Sequence, residues 1–192
     1  MTSHPSTPPM SPAADPNLQR LQRMSRLLAA ACWVLIVTLP PLFAWFWAVA
    51  PPALLASRVN LQADIVQGSL VLWQRVAGGC ISAVPLALLL AGVWQARKCF
   101  VLFSGGQVFT LRAAVALKRF AGLAAASFAS SVVASTALSV LLTINNAPGN
   151  RHMTIGLSTD QAFALFFAGV VWLMAAVIAQ GLHLAEENAH FV

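Results

Sequence analysis

The chain has 192 residues, of which 59% are hydrophobic and 8% charged, with a mean hydropathy of +0.77 and a formal net charge of +6. A soluble domain carries about a quarter of its residues as charged side chains, so a fold this poor in charge cannot cover itself in water and the chain reads as an integral membrane protein. Positive charge on such a chain is explained by topology and by anionic lipid rather than by direct nucleic-acid binding, because no basic stripe outside the apolar segments interleaves aromatic residues.

Residues 1–17, rich in proline, read as a disordered tail, and residues 18–192 as one membrane domain. The run Leu18–Leu28 opens that domain with Leu18, Leu21, Met24 and Leu28 on one helical face and Arg20, Arg23 and Arg26 on the other. A first span is expected over 27–50, kinked at Pro40-Pro41, with Trp45 and Trp47 at its far interface. The apolar run is too long for a cleaved signal core, and Pro51 follows the only candidate cleavage site, so the span reads as retained. A second span is expected over 76–96, bent near Gly78-Gly79 and Pro85.

The stretch Cys99–Thr110 then stays apolar, stops on Ser104-Gly105-Gly106 and resumes. Gly105 or Gly106 can take the positive φ that ends a helix, and Thr110 suits the N-cap of the next. The segment from Leu111 to Phe120 is expected as an interfacial helix whose Arg112, Lys118 and Arg119 reach lipid headgroups. A phosphate-cradling loop would need further glycines and a following Lys-Ser/Thr, which are absent. A third span is expected over 120–144 and a fourth over 161–183, the latter with Ser158 and Gln161 at capping-box spacing. The fold class is therefore all-α, with four transmembrane helices.

Eight of the eleven Lys and Arg residues fall in the N-terminal 18–28 run and the 97–119 segment, against Arg58, Arg75 and Arg151 on the other side. Both termini should then be cytoplasmic, and the chain multi-pass.

Few residues suggest chemistry. Ser127, Ser131, Ser135, Ser139 and Thr143 recur every four residues in the third span. Small hydroxyl residues at this spacing read first as a helix-packing stripe, and second as the polar lining of an oligomeric small-solute permease. His183, Glu187 and His190 share a helical face, but the chain has five acidic residues in all, too few for a di-iron bundle site, and no metal or cofactor is expected. Cys32, Cys80 and Cys99 lack metal or redox spacing and read as small apolar filler. No nucleophile–base–acid set occurs, so no enzymatic activity is expected.

Two of these segments resemble the bacterial membrane family DUF2975, a domain family of unknown function. One carries Leu102-Phe103, Gly106, Phe109-Thr110, Leu117 and Gly122, and the other the terminal Glu187-Asn188. The resemblance covers about residues 25–192. The chain departs from the family pattern at Ala113-Ala114, where a polar or acidic pair is common, and after Asn188, where Ala189-His190-Phe191 intervene. Members of the family often lie beside genes for small helix-turn-helix regulators. The resemblance thus implies a non-enzymatic role in which a cytoplasmic face built from 97–119 and 183–192 binds such a regulator. The motif residues on that face are Phe103, Gly105, Gly106, Phe109, Thr110, Glu186, Glu187 and Asn188. Besides the lipid bilayer and the regulator, further copies of the chain are expected as partners.

Overall fold

The structure, a computed structural model, describes residues 16–58, 71–107, 110–144 and 159–189. It consists of α1 (Pro16–Val49), α2 (Pro52–Arg58), α3 (Leu72–Ser104), α4 (Leu111–Thr143) and α5 (Thr159–Ala189). All but α2 are long and apolar enough to cross a membrane. Of the tail expected over 1–17, residues 1–15 lie outside the described residues. Pro16 already opens α1, a position where its fixed φ and missing N–H are tolerated.

The helices overrun the expected spans. With 31 to 34 residues each, they measure about 46–51 Å at 1.5 Å per residue, against a hydrocarbon core of about 30 Å. Apolar runs set the expected bounds, but helix propensity does not stop where hydropathy does. Arg, Lys, Gln, Leu and Ala are all good helix formers, and they continue the helices past the apolar windows. The segment expected as a separate interfacial helix, Leu111–Phe120, is instead the first part of an unbroken α4. α1 likewise continues through Pro40-Pro41 and α3 through Pro85.

Side-chain contacts fix an antiparallel register. Arg75, in the first turn of α3, reaches the C-terminal turn of α1, and Gln22 of α1 lies by Gly106 at the other end of α3. Cys99 lies by Ala113, Ser127 by Pro85 and Gln74 by Leu141, which sets α4 against α3. Lys118 lies by Trp172 and Ser131 by Gln161, which sets α5 against α4. Among the described residues, α1 packs on α3, α3 on α4 and α4 on α5, while α2 touches α4. The four long helices thus form a row in chain order.

The row curls at the end where α2 sits. There Trp47, Ala50, Leu55, Ala56, Leu138 and Leu142 form the main core, with Phe43, Phe46, Ile81 and Leu141 packed around it. Trp47, expected at the lipid interface, is 9% exposed. Its ring fills the slot left by Gly78, where an added Cβ would lie 2.6 Å from two ring carbons. Trp45 does face outward, at 69% exposure. Short α2, which carries no apolar window long enough to be read from sequence, is held by Leu55 and Ala56 in this core. α5 meets α4 through small residues, with Ala168 and Ala175 buried and Phe163, Phe166, Phe167, Leu173 and Met174 on its outer side. Small residues let helix backbones approach, and the large apolar ones left outside suit hydrocarbon.

Candidate functional site

The candidate site is the end of the row where α3 turns into α4. α3 ends in a Schellman motif. Gln107 N–H donates to Leu102 O at 3.0 Å and Gly106 N–H to Phe103 O at 3.0 Å. Gly106 takes φ +79°, the left-handed conformation that a Cβ disfavours, whereas Gly105 stays at φ −87°. Four residues after Gly106, Thr110 caps α4, its Oγ1 accepting from Ala113 N–H at 3.3 Å. The sequence expectation for the turn therefore holds at both caps, with Gly106 as the left-handed residue. Phe109, a motif residue, lies outside the described residues.

The apolar run before the turn packs within the hairpin. Cys99, Ala113 and Ala116 are buried together, with Leu102, Phe103 and Leu117 around them. Phe103 is thus a packing residue of the α3–α4 hairpin. Val101 points outward and is 46% exposed. Ser104, beside the glycines, donates its hydroxyl to Val101 O at 2.8 Å within its own helix.

Glu186, Glu187 and Asn188 fall in the last turns of α5. From Gln161, which meets Ser131, Glu186 lies about 37 Å along α5, and Leu111 lies about 30 Å along α4 from Ser131. The Glu-Asn segment therefore reaches about two turns' height at most past the start of α4, at the same end as the glycine turn. The antiparallel row brings the two sequence motifs to one end.

That end is also the basic one. Arg20, Arg23 and Arg26 on α1, Arg97 and Lys98 on α3, and Arg112, Lys118 and Arg119 on α4 all lie there. Two of these cations sit on aromatic faces. The Arg97 guanidinium lies 5.2 Å from the Trp33 ring centre and 5.5 Å from that of Trp94, tying α1 to α3. The two indoles meet edge to face at 6.0 Å. Lys118 Nζ lies 4.8 Å from the Trp172 ring centre, tying α4 to α5. Such contacts contribute on the order of 0.5–2 kcal/mol each, more where water is excluded. Arg112 and Arg119 line a groove against α3 with Lys98.

At the opposite end, two residues that sequence reading passed over join the helices. Arg75 donates to Trp47 O and Ala48 O, both at 3.1 Å, satisfying carbonyls at the C-terminus of α1. Gln74, 3% exposed, donates to Leu141 O near the end of α4 and accepts from Val71 N–H at the start of α3. The only sequence signal is a polar pair just before an apolar span, which does not say whose carbonyls it serves.

The hydroxyls of the α4 stripe are engaged locally. Ser131, Ser135 and Ser139 donate to carbonyls three residues back, and Thr143 donates to Ser139 O. Ser127 instead crosses to Pro85 O of α3 at 2.7 Å, and Ser131 accepts from Gln161 Nε2 of α5 at 3.2 Å. Ser139 and Thr143 are almost wholly buried. A cavity of about 480 Å³ between α1, α2, α3 and α4, which no stripe residue lines, is walled by Leu39, Phe43, Phe46, Leu86, Leu138 and Leu142 with Ser82 as a polar member. That lining suits an apolar occupant better than a polar solute. Among the described residues, no three His, Cys, Asp or Glu side chains gather as metal ligands.

A family model described as "Protein of unknown function (DUF2975)" matches residues 72–192. The match starts at the first residue of α3 and takes in α4 and α5, so it contains both motifs and leaves out α1 and α2. No curated protein and no solved structure matches the chain.

Proposed function

The chain belongs to the DUF2975 family, and from that premise we propose that it is a non-enzymatic, multi-pass protein of a bacterial inner membrane that holds a soluble cytoplasmic partner at its basic end. The observation that carries this reading is the overrun of the helices. A span needs about 20 residues. α3 and α4 have 33 each and continue beyond their apolar windows as a packed hairpin, closed by the turn at Gly106 and Thr110. Anchoring does not require that extension. A hairpin packed on Cys99, Ala113 and Ala116 offers a rigid surface to a partner. The excess of Lys and Arg supports a cytoplasmic position for this end. The resemblance points to a small helix-turn-helix regulator as the partner, kept at the membrane and away from DNA. Ser104, the hydroxyl nearest the turn, is engaged by its own helix, which fits contact rather than catalysis.

Photo-crosslinking in living cells from a probe at Gln107, read by mass spectrometry, tests the reading. Gln107 is exposed beside the turn. Recovery of one soluble helix-turn-helix protein is the expected result. Recovery of lipid alone, or only further copies of the chain, sinks the proposal.

A further inference from the structure

We propose that the groove between α3 and α4 at the basic end binds the phosphate headgroup of an anionic phospholipid. The inference is separate from the partner reading and does not depend on it. The groove, about 360 Å³, is lined by Gln95, Lys98 and Leu102 from α3 and by Arg112, Val115 and Arg119 from α4, among others. Gln95, Lys98 and Leu102 are spaced i, i+3 and i+7, one face of α3. Arg112 and Arg119 stand two turns apart on one face of α4, with Val115 between them. Two helix faces thus set three cations around one hollow.

Such an arrangement is self-repelling unless an anion completes it. The chain cannot supply that anion from α3 or α4. Its five acidic residues are Asp15, Asp64, Asp160, Glu186 and Glu187, and neither helix contains one. Apart from Gln95, the remaining wall is apolar. Leu111 is 49% and Val115 38% exposed, large aliphatic side chains left open beside the cations. A free phosphate has no use for that surface. A phospholipid does, because its acyl chains follow its headgroup. The level agrees as well. Gln95 to Leu102 spans about 10 Å along α3 and begins where the apolar window gives way to Arg97-Lys98, and the headgroup layer is about 5–8 Å thick on each side. Gln95 adds an amide donor, and the guanidinium groups can bind a phosphate in a two-pronged manner.

The test uses the purified full-length chain in a non-ionic detergent, titrated with phosphatidylglycerol or phosphatidylcholine and read by native mass spectrometry. Phosphatidylglycerol should be retained as one molecule per chain in clear preference to phosphatidylcholine. Each membrane-facing cation is worth about fivefold in affinity for anionic lipid, so Arg112→Gln with Arg119→Gln should weaken retention about thirtyfold. Lys98→Gln, on the opposite wall, should weaken it about fivefold and gives an independent reading if the double variant does not fold. Arg20→Gln with Arg23→Gln, on α1 and outside the groove, should leave retention unchanged. Millimolar inorganic phosphate should not displace the lipid. The proposal fails if the two lipids bind alike, or if the groove variants retain phosphatidylglycerol as the parent does. It fails too if the α1 variant loses as much as the groove variant, which would mean diffuse attraction, or if inorganic phosphate displaces the lipid, which would mean a soluble anion site.

Discussion

At the scale of single residues, the tightest constraint is the fit of Trp47 over Gly78. An added Cβ at Gly78 would meet two ring carbons at 2.6 Å and Leu138 Cδ2 at 3.2 Å. Gly78→Ala should therefore destabilise the protein by about 1–3 kcal/mol, the usual cost of overpacking. The same change in a Trp47→Leu background should cost much less, and thermal unfolding of the four variants measures that coupling. An equal cost in both backgrounds would show that the indole is not what the methyl meets. Gly122→Ala offers the contrast. Nothing lies within 4 Å of its added Cβ, so it should be neutral or stabilise by up to about 1 kcal/mol through helix propensity. Arg75 is the second constraint. Arg75→Met removes two bonds to the end of α1 and should lower stability by about 1–2 kcal/mol. Arg75→Lys, which keeps the charge but not the fork, should recover part of that. Neither role was legible in the sequence. A glycine pair in an apolar run announces close approach, but one sequence does not say that the approaching group is an indole thirty-one residues earlier. In sequence Trp45 and Trp47 look alike and both suit a membrane interface, whereas two residues along a helix turn by about 200°, to opposite sides.

At the scale of elements, the α3–α4 hairpin carries the argument. Its turn was legible because φ > 0 and N-capping are local demands, met by Gly106 and Thr110 with no help from distant residues. The length of its arms was not, because hydropathy marks where lipid can begin and says nothing about where a helix must stop. Gly106→Val should destabilise the turn by about 1–2 kcal/mol or more, since the left-handed conformation penalises a side chain and most of all a β-branched one. Gly106→Asn should be milder, because asparagine tolerates that conformation. Gly105→Ala should be nearly silent, as Gly105 sits at φ −87°. Amide hydrogen exchange across residues 99–117 in detergent gives the readout. Faster exchange for Gly105→Ala than for Gly106→Val would contradict the assignment of the turn. The stripe on α4 follows the same division between local and distant. Its period was plain in the sequence, but that Ser127 donates to α3 depends on Pro85 lying opposite. Ser127→Ala should cost about 0.6 kcal/mol, the average for a hydrogen bond between membrane helices. A matching loss for Ser135→Ala, whose hydroxyl serves its own helix, would show that the cross-helix bond adds nothing.

At the scale of the whole molecule, the row of antiparallel helices sorts the charge. Eight cations stand at one end with the glycine turn and the Glu-Asn segment, and Arg75 stands at the other, tied into the end of α1. The alternation of apolar spans with basic stretches made this division readable from sequence, since any up-and-down chain of four spans must produce it. What the row adds is direction to the surfaces. α1 and α5 present large apolar side chains outward along their length, and the hairpin of α3 and α4 packs between them. Both proposals, a soluble partner at the turn and an anionic lipid in the groove beside it, are most useful to a cell if that end faces the cytoplasm. The most direct test is cysteine accessibility in a background with Cys32, Cys80 and Cys99 replaced by alanine. Gln107→Cys probes the turn and Val71→Cys the opposite end, both exposed positions. With a membrane-impermeant maleimide on intact spheroplasts, we expect Val71→Cys to label at once and Gln107→Cys to label only after the membrane is opened. Labelling of Gln107→Cys in intact spheroplasts would put the basic end outside and contradict the account.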